Sequence, residues 1–202
     1  MASSQPRQAR HTSKALRTGT IQLTNAWNTV RGNNDLKNVA FTLAYAKPKY
    51  TYSLNYLEGP NNIGTSQGKR TLIDTTLLLT WNGRLRVYIN GDRGRNSQPG
   101  SGYGQWYGLA GAARYQLTKL FAVAGRAEFF NHAQGYSTGT AQKIREGTAT
   151  VEYKMHDCLV MRLEFRHDAS DRLFFDHGAG QPLTRGETTV TIGVVVLLGP
   201  LK

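Results

Sequence analysis

These 202 residues hold almost nothing that could act as a covalent or metallic staple. Cys158 is the single cysteine, which excludes an internal disulfide, and no cysteine and histidine cluster with metal-ligand spacing accompanies it. The thiol reads as incidental, with no partner or activating neighbourhood evident in the sequence. No window of about 18 consecutive apolar residues exists, so a membrane-spanning helix is excluded. A β-barrel is not, because it crosses with alternating segments that hydropathy scans miss. The start lacks the apolar stretch of a secretion signal, from which the chain is expected to begin inside a longer protein.

Acidic residues are scarce beside basic ones, 13 against 25, for a formal charge of +12. That balance suits nucleic acid, an anionic surface or an anionic solute, and only its distribution can decide among them. Residues 1–17 carry Arg7, Arg10, Lys14 and Arg17 with no acid and no apolar run, and read as a basic disordered lead. Residues 18–202 read as strands of one domain.

What is present is alternation with a period of two, in about ten segments of roughly 9 to 12 residues, the length of a tilted transmembrane strand. Phe121, Val123, Ala127 and Phe129 alternate with Arg126 and Glu128. Leu159, Met161, Leu163 and Phe165 alternate with Arg162, Glu164 and Arg166, and Val151 and Tyr153 with Glu146, Glu152 and Lys154. Val190, Ile192, Val194 and Val196 oppose Thr189, Thr191 and Gly193. Upstream, Leu85, Val87 and Ile89 oppose Arg86, and Ile73, Leu77 and Leu79 oppose Asp74, with Leu78 a local exception. Each segment thus has an apolar face and a polar or charged one.

Connectors alternate too. Tight turns are expected near 47–49, 82–84, 118–120 and 156–158, and long polar excursions near 30–37, 58–69, 91–105, 131–143 and 168–186. Short turns at one end and long loops at the other are the pattern of an outer-membrane barrel. Tyr45, Tyr50, Tyr56, Trp81, Tyr115, Phe121, Phe129, Tyr153 and Trp27 lie near segment ends, as interfacial girdles would. A charge facing lipid at midplane costs about 2–4 kcal/mol, so the charged rows must face water. The expected fold is therefore an all-β, antiparallel up-and-down transmembrane β-barrel. Its expected pore-lining residues are Asp74, Arg86, Arg114, Arg126, Glu128, Glu146, Glu152, Arg162, Glu164 and Arg166. Arg126 with Glu128, Arg162 with Glu164, and Glu152 with Lys154 are expected ion pairs.

The chain resembles the β-barrel porin family of Gram-negative outer membranes from about Thr20 to its end. The carrying stretches are Gly111 to Tyr115, Arg126 to Asn131, Glu146 to Thr148, Glu152 to Lys154, Leu163 to Asp168 and Thr189 to Gly193. Upstream, Asn25 to Asn28, Asn33 to Asp35, Asn55, Tyr56, Gly59 and Pro60 match in order. Members of that family are longer and carry a signal peptide, so the likeness implies the C-terminal half of such a protein. An aromatic residue usually closes their last strand, where Leu197 and Leu198 stand here. The resemblance implies a passive channel with small hydrophilic solutes, outer-membrane lipid, the barrel-insertion machinery and a homo-oligomer as partners, and without catalysis, cofactor or nucleic acid.

Chemistry elsewhere is thin. Adjacent His167 and Asp168 point to opposite faces of a strand, poor geometry for an acid–base pair. The glycines from Gly91 to Gly104 lack the lysine and hydroxyl of a phosphate loop and read as a polar surface loop. Asp168, Asp171, Asp176 and His177 could bind a cation, though loop acids ordinarily just solvate. The rival reading is a soluble basic β-domain that binds nucleic acid by charge.

Overall fold

In a computed structural model, which describes residues 15–25, 36–60, 64–98, 102–135 and 138–198, ten strands form a single antiparallel sheet. They are β1 Leu16–Thr24, β2 Asn38–Lys47, β3 Tyr50–Gly59, β4 Arg70–Trp81, β5 Leu85–Gln98, β6 Gly102–Gln116, β7 Phe121–His132, β8 Gln142–His156, β9 Leu159–Ser170 and β10 Gly186–Val196. Each pairs with its neighbours in chain order, and β1 and β10 are the sheet's edges. Leu16 and Arg17 stand in β1; the basic residues Arg7, Arg10 and Lys14 lie outside the described residues, as does Trp27.

Turn chemistry sets the short connections. Between β4 and β5, Asn82 and Gly83 both take positive φ, 42° and 72°, and the Arg84 N–H donates to the Trp81 carbonyl at 3.2 Å. Asn-Gly is the pair that tolerates this backbone, whose twist matches that of the flanking strands. Between β6 and β7, the Thr118 hydroxyl accepts from the Leu120 and Phe121 N–H groups at 3.2 and 3.0 Å, satisfying donors that the turn leaves free.

One expected excursion is not a loop. Residues 91–98 and 102–105 continue β5 and β6, with Gly94 opposite Trp106 and Arg95 opposite Gln105. Gly94 serves packing: a Cβ built on it would fall inside the Trp106 indole, so the ring lies over bare backbone and both strands carry on beyond the level where a loop was expected. Gly94→Val is therefore expected to expel Trp106 and lower stability by about 1–3 kcal/mol. The check is a red-shifted, more quenchable fluorescence at that tryptophan, with the other two tryptophans held as Phe.

Burial is inverted relative to a water-soluble sheet. Among the described residues, the buried polar ones include Asn38, Asn96, His132, Gln142, Glu146, Glu152, Asp168 and Ser170, and the buried hydrophobic core is Trp106, Ala110 and Ala122. All stand on one face by register. The opposite face is apolar and open: Ile21, Leu43, Leu163, Val190, Ile192 and Val194 are exposed, Ile192 to 73%. Side chains crowd on one face only when a sheet curls with that face inside, and soluble proteins do not leave so much aliphatic surface bare. The core of this fold is its polar side.

Aromatics mark both ends of the apolar face. Phe121 stacks on Tyr153 at 4.8 Å between centroids and Tyr45 meets Tyr50 at 5.7 Å near the short turns. Phe41 with Tyr56, at 6.3 Å, and Tyr107 with Phe129, at 5.9 Å, lie toward the long connections.

Candidate functional site: the polar inner face

All ten charged residues expected at the pore share the concave face, and the register arranges them in rows. Glu128 of β7, Glu146 of β8, Asp168 of β9 and Glu187 of β10 are successive cross-strand partners. One step toward the short turns, Arg126, Thr148, Arg166 and Thr189 form the next row. Carboxylates directly opposite one another repel, and the guanidiniums of the adjoining row offset this. Arg126 donates to both Glu128 and Glu146, and Arg166 binds Asp168 through two nitrogens at 2.6 and 2.8 Å. Thr148 donates to Glu146, and Thr150 to Glu164 at 3.1 Å.

Two expected pairings are redirected. Arg162 bonds Glu152 at 3.0 Å rather than Glu164, and Glu152 also accepts from Arg114 at 2.6 Å rather than from Lys154. Residues two apart along a strand stand about 7 Å apart, whereas direct cross-strand neighbours approach to about 5 Å. Arg162 lies opposite Glu152, so there the cross-strand partner wins, whereas Arg126 and Arg166 also hold partners two residues along their own strands. Lys154 instead reaches Asp157 in the turn at 2.7 Å, and its hydrogen bond holds that exposed carboxyl below its usual range. The Arg126 to Glu128 pair forms as expected.

On the other half of the wall, neutral amides replace the cations. Asp74 accepts from Asn55 at 2.7 Å and from Asn90 at 2.6 Å, and Asn55 in turn accepts from Thr42 at 2.8 Å. Arg86 stands opposite Arg114, two like charges in register, and is exposed. Asp92, Glu187 and the Asn55 and Asn90 pair were missed among the expected site residues, although parity alone puts Asp92 and Asn90 on the charged face with Arg86.

The excursion between β9 and β10 leans over this face. A small hairpin, with Phe175 and Thr184 exchanging backbone bonds of 3.0 Å, presents Phe174 and Phe175 to a cavity of about 570 Å³ shared with Glu128, Arg166, Asp168 and Thr191. The hairpin's acids are engaged separately. Asp171 accepts from the Lys143 N–H at 2.9 Å and Asp176 from the Gly178 N–H at 2.9 Å, while Asp168 stays in the wall. Among the described residues no three His, Cys, Asp or Glu side chains are grouped to hold a metal. His167 points away from Asp168, its Nδ1 2.8 Å from the Thr188 hydroxyl. Cys158 does have a neighbour, His156 Nδ1 at 3.1 Å from its sulfur, a contact made by the tightness of the turn.

An inner face of paired charges behind an apolar, aromatic-edged exterior is the construction of a transmembrane barrel wall. No helix among the described residues is long and apolar enough to cross a membrane, and strands do the crossing. A search of the curated proteins gives no match. Among solved structures the fold is similar to an anion-selective porin from Comamonas acidovorans, with a TM-score of 0.68 at 10% identity, covering 90% of this chain and 58% of that one. The chain thus spans little more than half of that porin's length. It is also similar to the NanC porin, with a TM-score of 0.54 at 17% identity, covering 91% of this chain and 94% of that one. With residues 9–198 matching the family model described as "Putative beta-barrel porin-2, OmpL-like", the chain belongs to that family of outer-membrane β-barrel porins.

Proposed function

We propose that this wall lines a water-filled channel through which small hydrophilic solutes diffuse passively, with a preference for anions. The observation that carries the reading is the inverted burial: charged and amide side chains fill the inside, and aliphatic ones cover the outside. A soluble nucleic-acid-binding domain would hide those aliphatic rows, and here they are the exposed ones. Asp74, Arg86, Arg114, Arg126, Glu128, Glu146, Glu152, Arg162, Glu164 and Arg166 would then touch the solute path.

Anion preference would arise where cations outnumber their partners. Near the short turns Glu152 pairs with both Arg114 and Arg162, and Arg86, opposite Arg114, joins no ion pair among the described residues. Arg86 and Arg162 remain exposed there, available to a passing anion. The acid row at Glu128, Glu146, Asp168 and Glu187 tempers this preference further along. The solved porin named as anion-selective lends the proposal a precedent in fold.

The test is single-channel recording in a planar bilayer under a potassium chloride gradient. The expected result is a reversal potential of the sign for chloride preference, reduced in Arg86→Gln with Arg162→Gln. Absence of channels from folded protein would sink the diffusion reading. Cation selectivity, or selectivity indifferent to both arginines, would sink the anion preference alone.

A further inference from the structure

Near the long connections the apolar exterior carries, besides the Glu58–Lys69 ion pair, four cations. Arg93 and Arg95 of β5 and Lys143 and Arg145 of β8 are exposed, and by register they share the outer face with Leu109 and Phe129. Their order is informative. Outward positions of β8 run Lys143, Arg145, Gly147, Ala149, Val151, Tyr153, from two cations through an apolar stretch to the aromatic girdle by the short turns. From Arg145 to Tyr153 a strand tilted by about 40° climbs roughly 20 Å, close to the height of a barrel's apolar band. The cations therefore stand where hydrocarbon ends and lipid headgroups begin.

Arg93, Tyr107, Asn131 and Lys143 are consecutive cross-strand partners on this face, a row about 15 Å across at strand spacing. None of the four cations joins an ion pair among the described residues. Arg95 lies over the Tyr103 ring at 4.1 Å. The Tyr107 hydroxyl accepts from Asn131 at 2.9 Å, which leaves its own proton free to donate outward.

Below the row lies a hollow of about 590 Å³ lined by Ile89, Leu109, Gly111, Ala127 and Phe129, with Arg145 at its rim. Ala110, Glu128 and Glu146 also border it, but their parity turns their side chains to the inner face. A Cβ built on Gly111 meets nothing within 4 Å, so the floor is open rather than filled by neighbours. An apolar trough running down the membrane from a cluster of unpaired cations fits one kind of occupant, a lipid with an anionic head.

We propose that this patch binds a phosphorylated lipid of the outer leaflet. Its phosphates sit on Arg93, Arg95, Lys143, Arg145 and the Tyr107 hydroxyl, and an acyl chain lies in the trough. The spread of the cations suits a head with two phosphates better than one. The proposal rests on the outer-membrane reading, because that reading places the long connections at the external surface.

The probe is diphosphorylated lipid A, titrated onto the folded protein in a neutral sugar detergent and counted by native mass spectrometry, beside its dephosphorylated form and phosphatidylglycerol. Each cation near an anionic headgroup is worth roughly fivefold in affinity. Arg93→Gln, Arg95→Gln, Lys143→Gln and Arg145→Gln together should weaken lipid A binding at least tenfold. Lys47→Gln, Lys49→Gln, Arg84→Gln and Lys119→Gln together, which remove as much charge from the short turns, should leave it within twofold. Gly111→Leu, which fills the trough and keeps every cation, should also weaken binding, a readout independent of the quadruple variant's folding. Equal affinity for phosphatidylglycerol or for the dephosphorylated lipid, or an equal loss in the short-turn variant, would overturn the proposal in favour of general attraction to a basic protein. Channel recordings on the same preparations in neutral lipid separate the two readings: channels without lipid binding sink this proposal alone, and lipid binding without channels sinks the diffusion reading alone.

Discussion

Arg126→Met is expected to destabilise the folded barrel by about 2–3 kcal/mol. Arg126 is the shared partner of Glu128 and Glu146, which face each other across β7 and β8. Removing the guanidinium leaves two carboxylates opposed. The Glu146 side chain, only 3% exposed, has little water to replace the lost partner. Because the Arg126 side chain is 37% exposed, the loss belongs at the low end of the range for a buried pair. The measurement is the urea midpoint of protein refolded in lipid vesicles. Adding Glu146→Gln should recover part of the deficit, since the second change removes the orphaned charge, and the double-mutant cycle isolates that coupling. A shift below about 0.5 kcal/mol in Arg126→Met would mean that the lumen solvates these carboxylates as bulk water does.

Phe165→Arg tests the opposite face and should cost about 2–4 kcal/mol, the penalty for a cation at the middle of the lipid-facing surface. Phe165 is exposed, between Ala149 and Val190 in register, midway between the cations at Arg145 and the girdle at Tyr153. Ala169→Arg, on the same strand but opposite Arg145, should cost only about 0–1 kcal/mol because the cation there reaches the interface. The contrast between the two positions is the informative quantity, since both introduce the same side chain on the same face. Equal penalties would contradict a hydrocarbon layer centred on Phe165, and with it the assignment of the outside.

Much of the architecture was legible in the residues because a strand's side-chain period is local. Arg126, Glu128, Glu152, Arg162 and Glu164 fall on one face whatever the partner strands do, and the turns at 82–84 and 118–120 announce themselves through Asn82, Gly83 and Thr118. The hairpin over 91–105 was misread for a physical reason. Glycine signals a loop through its backbone freedom, yet here Gly94 is demanded by the indole of Trp106, a residue twelve positions away that no local window connects to it. The pairing errors have a related cause. Glu152 meets Arg162 and Arg114 only after β6, β7, β8 and β9 have found their register, and nothing within one strand specifies that register.

The residue order by itself determined which side of each ribbon meets lipid and which meets water, because alternation with a period of two cannot be undone by folding. Only the tertiary structure decided which charges neutralise each other, that four acids align across four strands, and that unpaired cations crown an apolar trough outside. Those are matters of stagger between strands, and a shift of two residues in any pairing would preserve every face while exchanging every partner.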